Sequence, residues 1–385
     1  MVLTAPNRTW AEVNLDSIAH NFHELRRVSG VRVMCVLKAN AYGHGSCTLA
    51  KRLEKEGCDA FGVASLDEGI ELRRSGVTAF ILLFNHVAKE RIGEALEHNL
   101  TMTVFSREMA LHISERAANP VKIHIKTDTG MTRVGFNPGE TLESVKYIHS
   151  LPNIEIEGIY THFSSADEAG GAYTITQIDK LKAIYEEVEN AGIPIKIKHA
   201  ASSGGSINYP EARFDMVRIG ISVYGCYPSE DIDKRIIDLK PAMQLKTQIV
   251  RINEAEPGTA VGYNRLFVTG RKSKIATILA GYADGIGRTM TGKLKVLVNG
   301  QTAPVIGRIC MDQCMVDITD IAGEVAVSDT VVIYGEQKGA VIPVEQVAAL
   351  IGTVNYEILC MMPRRVPRYY TENGEITGVV NFLNY

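Results

Sequence analysis

The side chains with the clearest chemical potential follow short apolar runs, and the first of them is Lys38. It follows the apolar run 31–37 and opens the segment Ala39-Asn40-Ala41-Tyr42-Gly43-His44-Gly45. A lysine whose stem packs against apolar neighbours loses hydration of its ammonium form, so its pKa falls toward the range of a nucleophile or base. Schiff-base chemistry needs such an amine. A structural lysine that ends a buried strand also fits this position, so Lys38 alone does not decide the role.

Polar groups also end, or lie within, four later apolar runs. They are Lys126 with Asp128, His162, His199 with Ser202 and Ser203, and Arg218. One histidine after an apolar strand is more often a buried structural residue than a catalyst, but several basic groups at equivalent positions favour a common site. The loop 200–206 offers backbone N–H groups and hydroxyls to an anion such as phosphate, although an ordinary turn has the same composition.

Other anion and metal motifs are absent from the sequence. There is no Walker pattern, and Gly285-Ile286-Gly287 is followed by Met290 where a dinucleotide fingerprint needs glycine. There is no His-Glu-x-x-His, and Cys310 and Cys314 have no second pair at zinc spacing. We therefore expect a phosphate ligand that is not a dinucleotide, and no metal.

The elements that must position these residues alternate between strand and helix patterns. Eight runs rich in β-branched residues predict strands at 32–38, 60–64, 79–84, 101–105, 121–127, 157–162, 195–199 and 216–224. Helix patterns between them include 66–74, 89–97 and 173–191. Eight βα units predict a closed (β/α)8 TIM barrel, with an open doubly wound sheet as the alternative. In a barrel, residues at the strand exits converge on one mouth.

The pattern changes after Lys240-Pro241 to closely spaced strands. They are predicted at 244–252, 274–279, 294–298, 302–306 and 330–334. We therefore predict an α/β chain with a barrel domain at 1–240 and a mainly β C-terminal domain at 241–385. The run Trp10–Asn14 is strand-like and precedes the first barrel helix, so residues 1–14 are expected to pack with the C-terminal domain.

Composition narrows the class of partner. The 385 residues carry a formal net charge of only −3, which gives no electrostatic reason to expect nucleic acid or an anionic membrane, so a small molecule is favoured. Seven scattered cysteines, an odd number, argue against a secreted disulfide framework. Neither a signal-peptide pattern nor an uncharged apolar stretch of about 18 residues occurs. A cytoplasmic location is expected.

An amine, a phosphate loop and an arginine at one barrel mouth are the parts needed to hold pyridoxal 5'-phosphate. The motif Val36-Leu37-Lys38-Ala39-Asn40-Ala41-Tyr42-Gly43-His44-Gly45 closely resembles the cofactor-binding signature of alanine racemases. Further matches to that family lie, in order, at 128–135, 158–163, 216–220, 280–285, 307–313 and 355–357. The family's layout, a barrel followed by a β domain, agrees with the pattern described above.

The resemblance implies a racemase with two bases in a site shared across a homodimer. Lys38 would bind the cofactor covalently and then serve as the base on one face of the substrate, and Tyr263 of a second subunit would be the base on the other face. Met311 from that second subunit would contact the substrate carboxylate through its backbone. Arg133 would neutralise the carboxylate or the cofactor's phenolic oxygen.

The resemblance also assigns the cofactor contacts. Arg218 would face the pyridine nitrogen, and because arginine keeps its proton it would donate a hydrogen bond without creating a full pyridinium. This arrangement favours return of the proton over decarboxylation or transamination. His162 would support Arg218, and the phosphate would be bound by Tyr42, Ser203, Gly220, Ile221 and Tyr356. Lys126 would position Arg133, with carbamylation, known in some relatives, as an option.

The implied activity is the interconversion of L- and D-alanine, which supplies D-alanine for peptidoglycan. A serine or broad-specificity amino-acid racemase of the same fold is the alternative, although Tyr356 favours alanine. A barrel-type decarboxylase would need a carboxylate opposite the ring nitrogen, where this chain has Arg218.

Overall fold

The structure, a computed structural model, describes residues 8–168 and 171–383. Contacts divide the chain into two compact units. The barrel unit contains residues 17–41 and 46–240, and the β unit contains residues up to 16, residues 42–45 and those from 241 onward. The part of the expectation for residues 1–14 that concerns residues 1–7 lies outside the described residues.

Strand β1 (Trp10–Asn14) belongs to the β unit, and the next eight strands form a closed parallel barrel. The barrel strands are β2 (Arg32–Val36), β3 (Ala60–Val63), β4 (Phe80–Leu83), β5 (Thr101–Val104), β6 (Val121–Lys126), β7 (Ile154–Tyr160), β8 (Ile197–His199) and β9 (Met216–Ile219). Pairing of Arg32 in β2 with Met216 in β9 closes the ring. The predicted (β/α)8 barrel is thereby confirmed.

Helical segments separate the strands. They are α1 (Leu15–Ser29), α2 (Lys38–Tyr42), α3 (Ser46–Lys55), α4 (Leu66–Arg74), α5 (Ile92–Glu97), α6 (Arg107–Arg116), α7 (Pro138–His149), α8 (Ala172–Asn190) and α9 (Ser203–Asn208). Helix α4 begins where its pattern predicts because Ser65 and Glu68 form a capping box that satisfies both exposed backbone N–H groups. Its apolar side, which includes Leu66 and Ile70, is buried. Among the described residues, no helix is long and apolar enough to cross a membrane.

The β unit is built on one ten-stranded sheet. The elements of the β unit that follow the barrel are β10 (Met243–Ala255), β11 (Ala260–Val261), β12 (Phe267–Val268), β13 (Ser273–Ile278), β14 (Lys295–Val298), β15 (Gln301–Ile306), β16 (Cys314–Asp317), β17 (Thr330–Gln337), β18 (Ala340–Ile342), α10 (Val344–Ala349), α11 (Asn355–Cys360), β19 (Arg368–Glu372) and β20 (Glu375–Val380). The strand order is β18-β17-β14-β15-β16-β13-β10-β1-β19-β20, and β17 also pairs with β10. A mainly β C-terminal part, as predicted, follows the barrel.

Most predicted strands differ from the structure by one to three residues at an end, and two barrel strands differ in a way that affects the site. The strand predicted at 216–224 ends at Ile219, because the chain turns at Gly220 and continues as the 3-10 turn Ile221–Tyr224. The strand predicted at 157–162 is instead Ile154–Tyr160 and contains an irregularity in register near its middle. Both differences leave the strand exits at the mouth where the polar residues gather.

The barrel interior contains both apolar and charged layers. Met34, Ala60, Leu82, Tyr160 and Met216 form a buried cluster. Beside Tyr160 lie three buried polar side chains, His124, His199 and Arg218. Buried polar groups need hydrogen-bond partners, so this layer points to a function beyond packing.

Candidate active site

Lys38 stands two residues beyond β2, at the start of an unusual left-handed turn. Ala39, Asn40 and Ala41 have φ of 54°, and Tyr42 has φ of 50°. Residues other than glycine rarely adopt this conformation, and strain of this kind is concentrated at functional sites. The Asn40 side chain stabilises the turn by accepting hydrogen bonds from the backbone N–H (2.9 Å) and the hydroxyl (3.3 Å) of Ser46. The Lys38 side chain itself is half-buried.

Arg218 is the central cation of the barrel mouth. It is 4% exposed, and its guanidinium donates to the carbonyls of Thr161 and Ala200, each at 2.8 Å. It also donates to His199 Nδ1 at 3.0 Å and to His162 Nδ1 at 3.1 Å. Burial lowers the pKa of Arg218 from 12.5 to about 10, so it stays charged at neutral pH. These acceptors hold the planar guanidinium in one orientation.

His162 lies among four cationic side chains. Burial lowers its pKa well below 6.5, and the charges of Arg218, Arg133, Lys126 and Lys38 lower it further. These four side chains come from separate loops and strands of the barrel unit, so the exits of its strands do converge. A neutral His162 follows, together with a cationic region suited to an anionic ligand.

Lys126 ends β6 and is buried at 4% exposure. Its Nζ donates to the Thr127 carbonyl at 2.7 Å and lies 5.5 Å from the centre of the Tyr160 ring. Burial, with the charge of Arg218, lowers its pKa from 10.5 to about 7. A substantial fraction of this amine is therefore neutral and nucleophilic near pH 7.

The loop that carries Arg133 is organised by Asp128. The Asp128 carboxylate accepts from the backbone N–H groups of Gly130 and Arg133, both at 2.9 Å. Burial opposes ionisation of Asp128, but these backbone hydrogen bonds outweigh it and lower the pKa. Gly135, with φ of 133°, cannot be replaced without strain, since a Cβ there would lie 2.7 Å from the backbone of Thr127 and Asp128. The Arg133 side chain is left exposed.

Two loops at the exits of β8 and β9 are joined by one hydroxyl. Ser203 Oγ accepts from the backbone N–H groups of Gly220 at 3.3 Å and Ser222 at 3.4 Å. Ser203 and Ile221 are buried. Gly204 allows the close packing, because a Cβ there would lie 2.9 Å from Asp167. Backbone N–H groups and a hydroxyl thus gather where the sequence predicts a phosphate loop.

Tyr42 and Tyr356 lie together in the β unit. Their ring centres are 6.0 Å apart, and Tyr42 is 7% exposed, so burial raises the pKa of its phenol. The segment 42–45 is held in this unit by Arg368, whose Nε donates to the Gly43 carbonyl at 2.9 Å. A Cβ on Gly43 would lie 2.3 Å from the Leu359 carbonyl oxygen. The glycine of the lysine-containing motif is thus required for packing.

Tyr263 and Met311 are exposed residues of the β unit. The exposed fractions of Tyr263 and Met311 are 66% and 51%. Met311 lies in a fixed loop, since its carbonyl accepts from Ala283 N at 3.0 Å and a Cβ on Gly281 would lie 2.3 Å from the same oxygen. Large apolar groups displayed on ordered turns are typical of an interaction surface.

Three buried residues of this region were not predicted from the sequence: His124, Glu157 and Tyr160. His124 precedes Lys126 by two residues, so strand alternation was a usable signal that both face the same side. Tyr160 precedes His162 by two residues, and its ring stacks on His199 with centres 4.5 Å apart. Glu157 gave no such signal, because its orientation depends on the irregular register of β7.

The described residues contain no group of three or more His, Cys, Asp or Glu side chains that could hold a metal ion. Cys314 is buried and Cys310 is half-buried, and both are free thiols. Their environment is consistent with packing.

Two family models match this chain. "Alanine racemase, N-terminal domain" matches residues 13–228, and "Alanine racemase, C-terminal domain" matches residues 242–370. The chain is 43% identical over 379 residues to an alanine racemase of Clostridium novyi (strain NT), covering 97% of this chain and 98% of the relative. It is 44% identical over 367 residues to an alanine racemase of Methanococcus maripaludis, covering 94% and 98%.

Solved structures show the same similarity. The alanine racemase of Clostridium difficile 630 matches with a TM-score of 0.94 at 40% identity, covering 99% of this chain and 100% of that one. The alanine racemase of Bacillus anthracis, solved with bound L-Ala-P, matches with a TM-score of 0.93 at 35% identity, covering 99% of each chain.

Proposed function

The chain belongs to the alanine racemase family, and from that premise we propose how its own residues carry out the reaction. The activity is the interconversion of L- and D-alanine, an isomerase reaction. We propose that it depends on pyridoxal 5'-phosphate, that residues 1–240 bind this cofactor and residues 241–385 complete the site, and that the product supplies peptidoglycan synthesis. The observation that carries the proposal is the buried guanidinium of Arg218, which His162, His199 and two carbonyl oxygens hold at the barrel mouth.

The residues present fit an anionic, planar cofactor. Ser203, through its hydroxyl proton, and the backbone N–H of Ile221 would donate to a phosphate, and the Gly220 N–H would do so by exchanging its 3.3 Å hydrogen bond to Ser203 Oγ. The phenols of Tyr42 and Tyr356 would add further donors. Arg218 offers donors to a ring nitrogen. When bound, pyridoxal 5'-phosphate supplies a conjugated ring that delocalises the electron pair left by removal of the α-proton. Lys38 is the amine for its covalent attachment.

The proton is moved by two bases in this proposal. Lys38 Nζ removes or returns it on one face of the α-carbon, and the Tyr263 hydroxyl does so on the other. Two fixed bases on opposite faces invert the configuration without either crossing the plane. A phenol with an ordinary pKa near ~10 is a poor base unless positive charge lies nearby, and the cationic side chains around His162 would supply it.

Arg218 controls the outcome by donating without releasing its proton. Its pKa of about 10 keeps the guanidinium charged, so Arg218 would donate a hydrogen bond to the cofactor's ring nitrogen and keep its proton. His162 and His199, both neutral, hold the guanidinium in place. A guanidinium that keeps its proton would withdraw electrons from the ring only weakly, which would favour return of the proton to the α-carbon, the racemase outcome.

The substrate carboxylate would be bound by Arg133 and by the backbone of Met311 from a second copy of the chain. The 66% exposure of Tyr263 and 51% exposure of Met311 support this arrangement, since a general base and a carboxylate contact both work better when water is excluded. We therefore propose a homodimer in which Tyr263 and Met311 of one copy complete the site of the other.

Reductive trapping tests the assignment of Lys38. The purified protein is loaded with pyridoxal 5'-phosphate, reduced with borohydride, digested and mapped, while racemisation of L-alanine is followed by polarimetry. We expect the label on Lys38 and complete loss of both label and racemisation in Lys38→Ala. The matched control, Lys89→Ala at an exposed lysine, should retain both. Label on another lysine, or racemisation by Lys38→Ala, contradicts the proposal.

A further inference from the structure

A line of buried polar side chains crosses the barrel interior from Arg218 to Lys122. Arg218 Nη1 lies 3.0 Å from His199 Nδ1, and His199 Nε2 lies 2.8 Å from His124 Nδ1. His124 Nε2 lies 3.3 Å from one carboxylate oxygen of Glu157, and the other accepts from Lys122 Nζ at 2.7 Å. The two histidines are fully buried, whereas the Lys122 side chain is 54% exposed.

The line joins the two ends of the barrel. Arg218 is in the C-terminal half of β9, at the mouth that carries the site residues. Lys122 is the second residue of β6, at the opposite, N-terminal end of the parallel strands. Four hydrogen bonds thus connect the cationic region with solvent on the far side of the barrel.

Chemistry fixes the direction of these hydrogen bonds. Arginine has no acceptor, so His199 Nδ1 must accept, and a neutral His199 then carries its proton on Nε2. That proton is donated to His124 Nδ1, so His124 carries its own proton on Nε2 and donates it to Glu157. Each group therefore determines the tautomer or charge of the next, from the Arg218 cation to the Glu157 anion, which also accepts from Lys122.

The charges of the groups agree with this direction. Burial lowers the pKa of both His124 and His199 below 6.5, so both are neutral at physiological pH. The hydrogen bond from His124, with help from Lys122, lowers the pKa of Glu157 to about 2, although burial opposes this. Glu157 is then an anion and can accept only.

A β-bulge places Glu157 between His124 and Lys122 in the line. In the pairing of β6 with β7, Ile123 faces Ile156 but His124 faces Gly158, so Glu157 is an extra residue without a partner in the register. Bulges reorient side chains near functional sites. Gly158 completes the fit, because a Cβ there would lie 2.7 Å from the His124 ring.

We propose that Glu157 is a positioning residue for Arg218, acting through His124 and His199. Glu157 fixes the tautomers of His124 and His199, so that His199 Nδ1 accepts a hydrogen bond from Arg218 Nη1. This hydrogen bond orients the guanidinium so that it can donate to the cofactor's ring nitrogen. Within the described part of the chain, Arg218 donates hydrogen bonds through Nη1 and Nη2, and none through Nε. The role of Arg218 toward the cofactor rests on the proposed function, whereas the direction of the line does not.

Nitrogen NMR of the parent protein tests the direction without any substitution. The full-length chain is labelled with [15N]histidine, with and without pyridoxal 5'-phosphate, and the resonances are assigned through His124→Gln and His199→Gln. We expect both histidines to carry the proton on Nε2 and a bare Nδ1 at pH 7.5. A proton on Nδ1 of either residue overturns the proposal, and this result is independent of whether the chain binds the cofactor.

Cofactor affinity tests the action of Glu157 on Arg218. Stripped protein is titrated with pyridoxal 5'-phosphate, and its dissociation constant is read from absorbance. We expect Glu157→Gln, which keeps the shape and removes the charge, to weaken binding on the order of tenfold, as for coupled neighbours. In an Arg218→Ala background the same change should alter binding by less than about twofold, because the effect passes through Arg218.

Two controls separate this effect from loss of stability. Lys122→Gln removes the exposed partner and should stay within about threefold of the parent, as expected for a surface ion pair. Ser114→Ala removes a partly buried hydrogen bond outside the line, 2.6 Å from Ser114 Oγ to the Pro152 carbonyl, and should leave the affinity unchanged. An equal loss from Glu157→Gln in the parent and Arg218→Ala backgrounds, or no loss in the parent, overturns the proposal.

Discussion

His162 shows how single residues of this barrel are adapted to an anionic ligand. The charges of Arg218, Arg133 and Lys38, and of Lys126 when it is protonated, lower the pKa of His162, which therefore stays neutral and accepts a hydrogen bond from Arg218. His124 and His199 are also held neutral by burial. Three histidines that ordinarily titrate near pH 6.5 are therefore prevented from doing so in the folded protein.

The free energy of unfolding should fall as the pH is lowered from 7 to 5. The unfolded chain takes up protons on His124, His162 and His199 below their ordinary pKa of 6.5, whereas the folded chain, with depressed pKa values, does not. The contribution of these histidines to stability is thus full above pH 6.5 and is lost below it, by up to about 1.4 kcal/mol per pH unit for each histidine.

Urea unfolding at fixed protein concentration measures this dependence. His162→Gln should reduce the slope between pH 7 and 5, and the control His149→Gln, at an exposed histidine, should leave it unchanged. A parent protein whose unfolding free energy is constant over this range contradicts the account.

Lys126 is expected to react with carbon dioxide. Its pKa of about 7 leaves a neutral amine beside Arg218 and Arg133, and a carbamate formed there would replace one positive charge by a negative one among these cations. We expect a carbamate carbonyl signal in 13C NMR of protein held in 13C-labelled bicarbonate. The signal should be absent from Lys126→Gln and present in the control Lys122→Gln; its absence from the parent contradicts the expectation.

At the scale of elements, backbone irregularities place the functional groups of the barrel. The left-handed turn after Lys38 and the bulge in β7 both depart from regular geometry. Gly158 is the clearest case, because the His124 ring occupies the space that a side chain would need. The regular strands form the barrel, and the left-handed turn and the β-bulge determine how the functional side chains are oriented in it.

Gly158→Ala should destabilise the barrel by about 1–3 kcal/mol, the usual cost of overpacking. The new Cβ would lie 2.7 Å from His124 and 2.8 Å from the Ile197 carbonyl oxygen, and neither can move freely. Thermal and urea unfolding measure the change. The matched control is Gly139→Ala in α7, where a new Cβ would have no other atom within 4 Å. Its free energy of unfolding should equal or exceed that of the parent. Equal stability of Gly158→Ala and the parent contradicts this view of β7.

The sequence predicts the regular elements of this fold far better than its irregular ones. Strand and helix periods predict the eight barrel strands, the helix Leu66–Arg74 and the strand exits at Lys126 and Arg218. They do not predict the bulge at Glu157, since a two-residue period gives no sign of an extra residue. Residue propensities likewise do not predict the left-handed turn after Lys38, because alanine and tyrosine rarely adopt positive φ.

For the whole molecule, we propose that a second copy of the chain completes the site. The barrel unit holds Lys38, Arg133, His162 and Arg218, while the β unit displays Tyr263 and Met311 to solvent. Pattern analysis of one chain cannot reveal a contact between two copies; the expectation comes from the resemblance to alanine racemases. The roles of Tyr263 and Met311 therefore stay predictions.

Complementation between two inactive variants is the most direct test of the two-base, shared-site account. Lys38→Ala and Tyr263→Phe should each lose alanine racemisation alone. After the two are mixed under conditions of subunit exchange, each mixed dimer has one site with both bases intact and one with neither. Random exchange makes half of the dimers mixed, so about a quarter of the parent activity should return. Mixed dimers that form, as shown by mass spectrometry, but remain inactive would contradict the account.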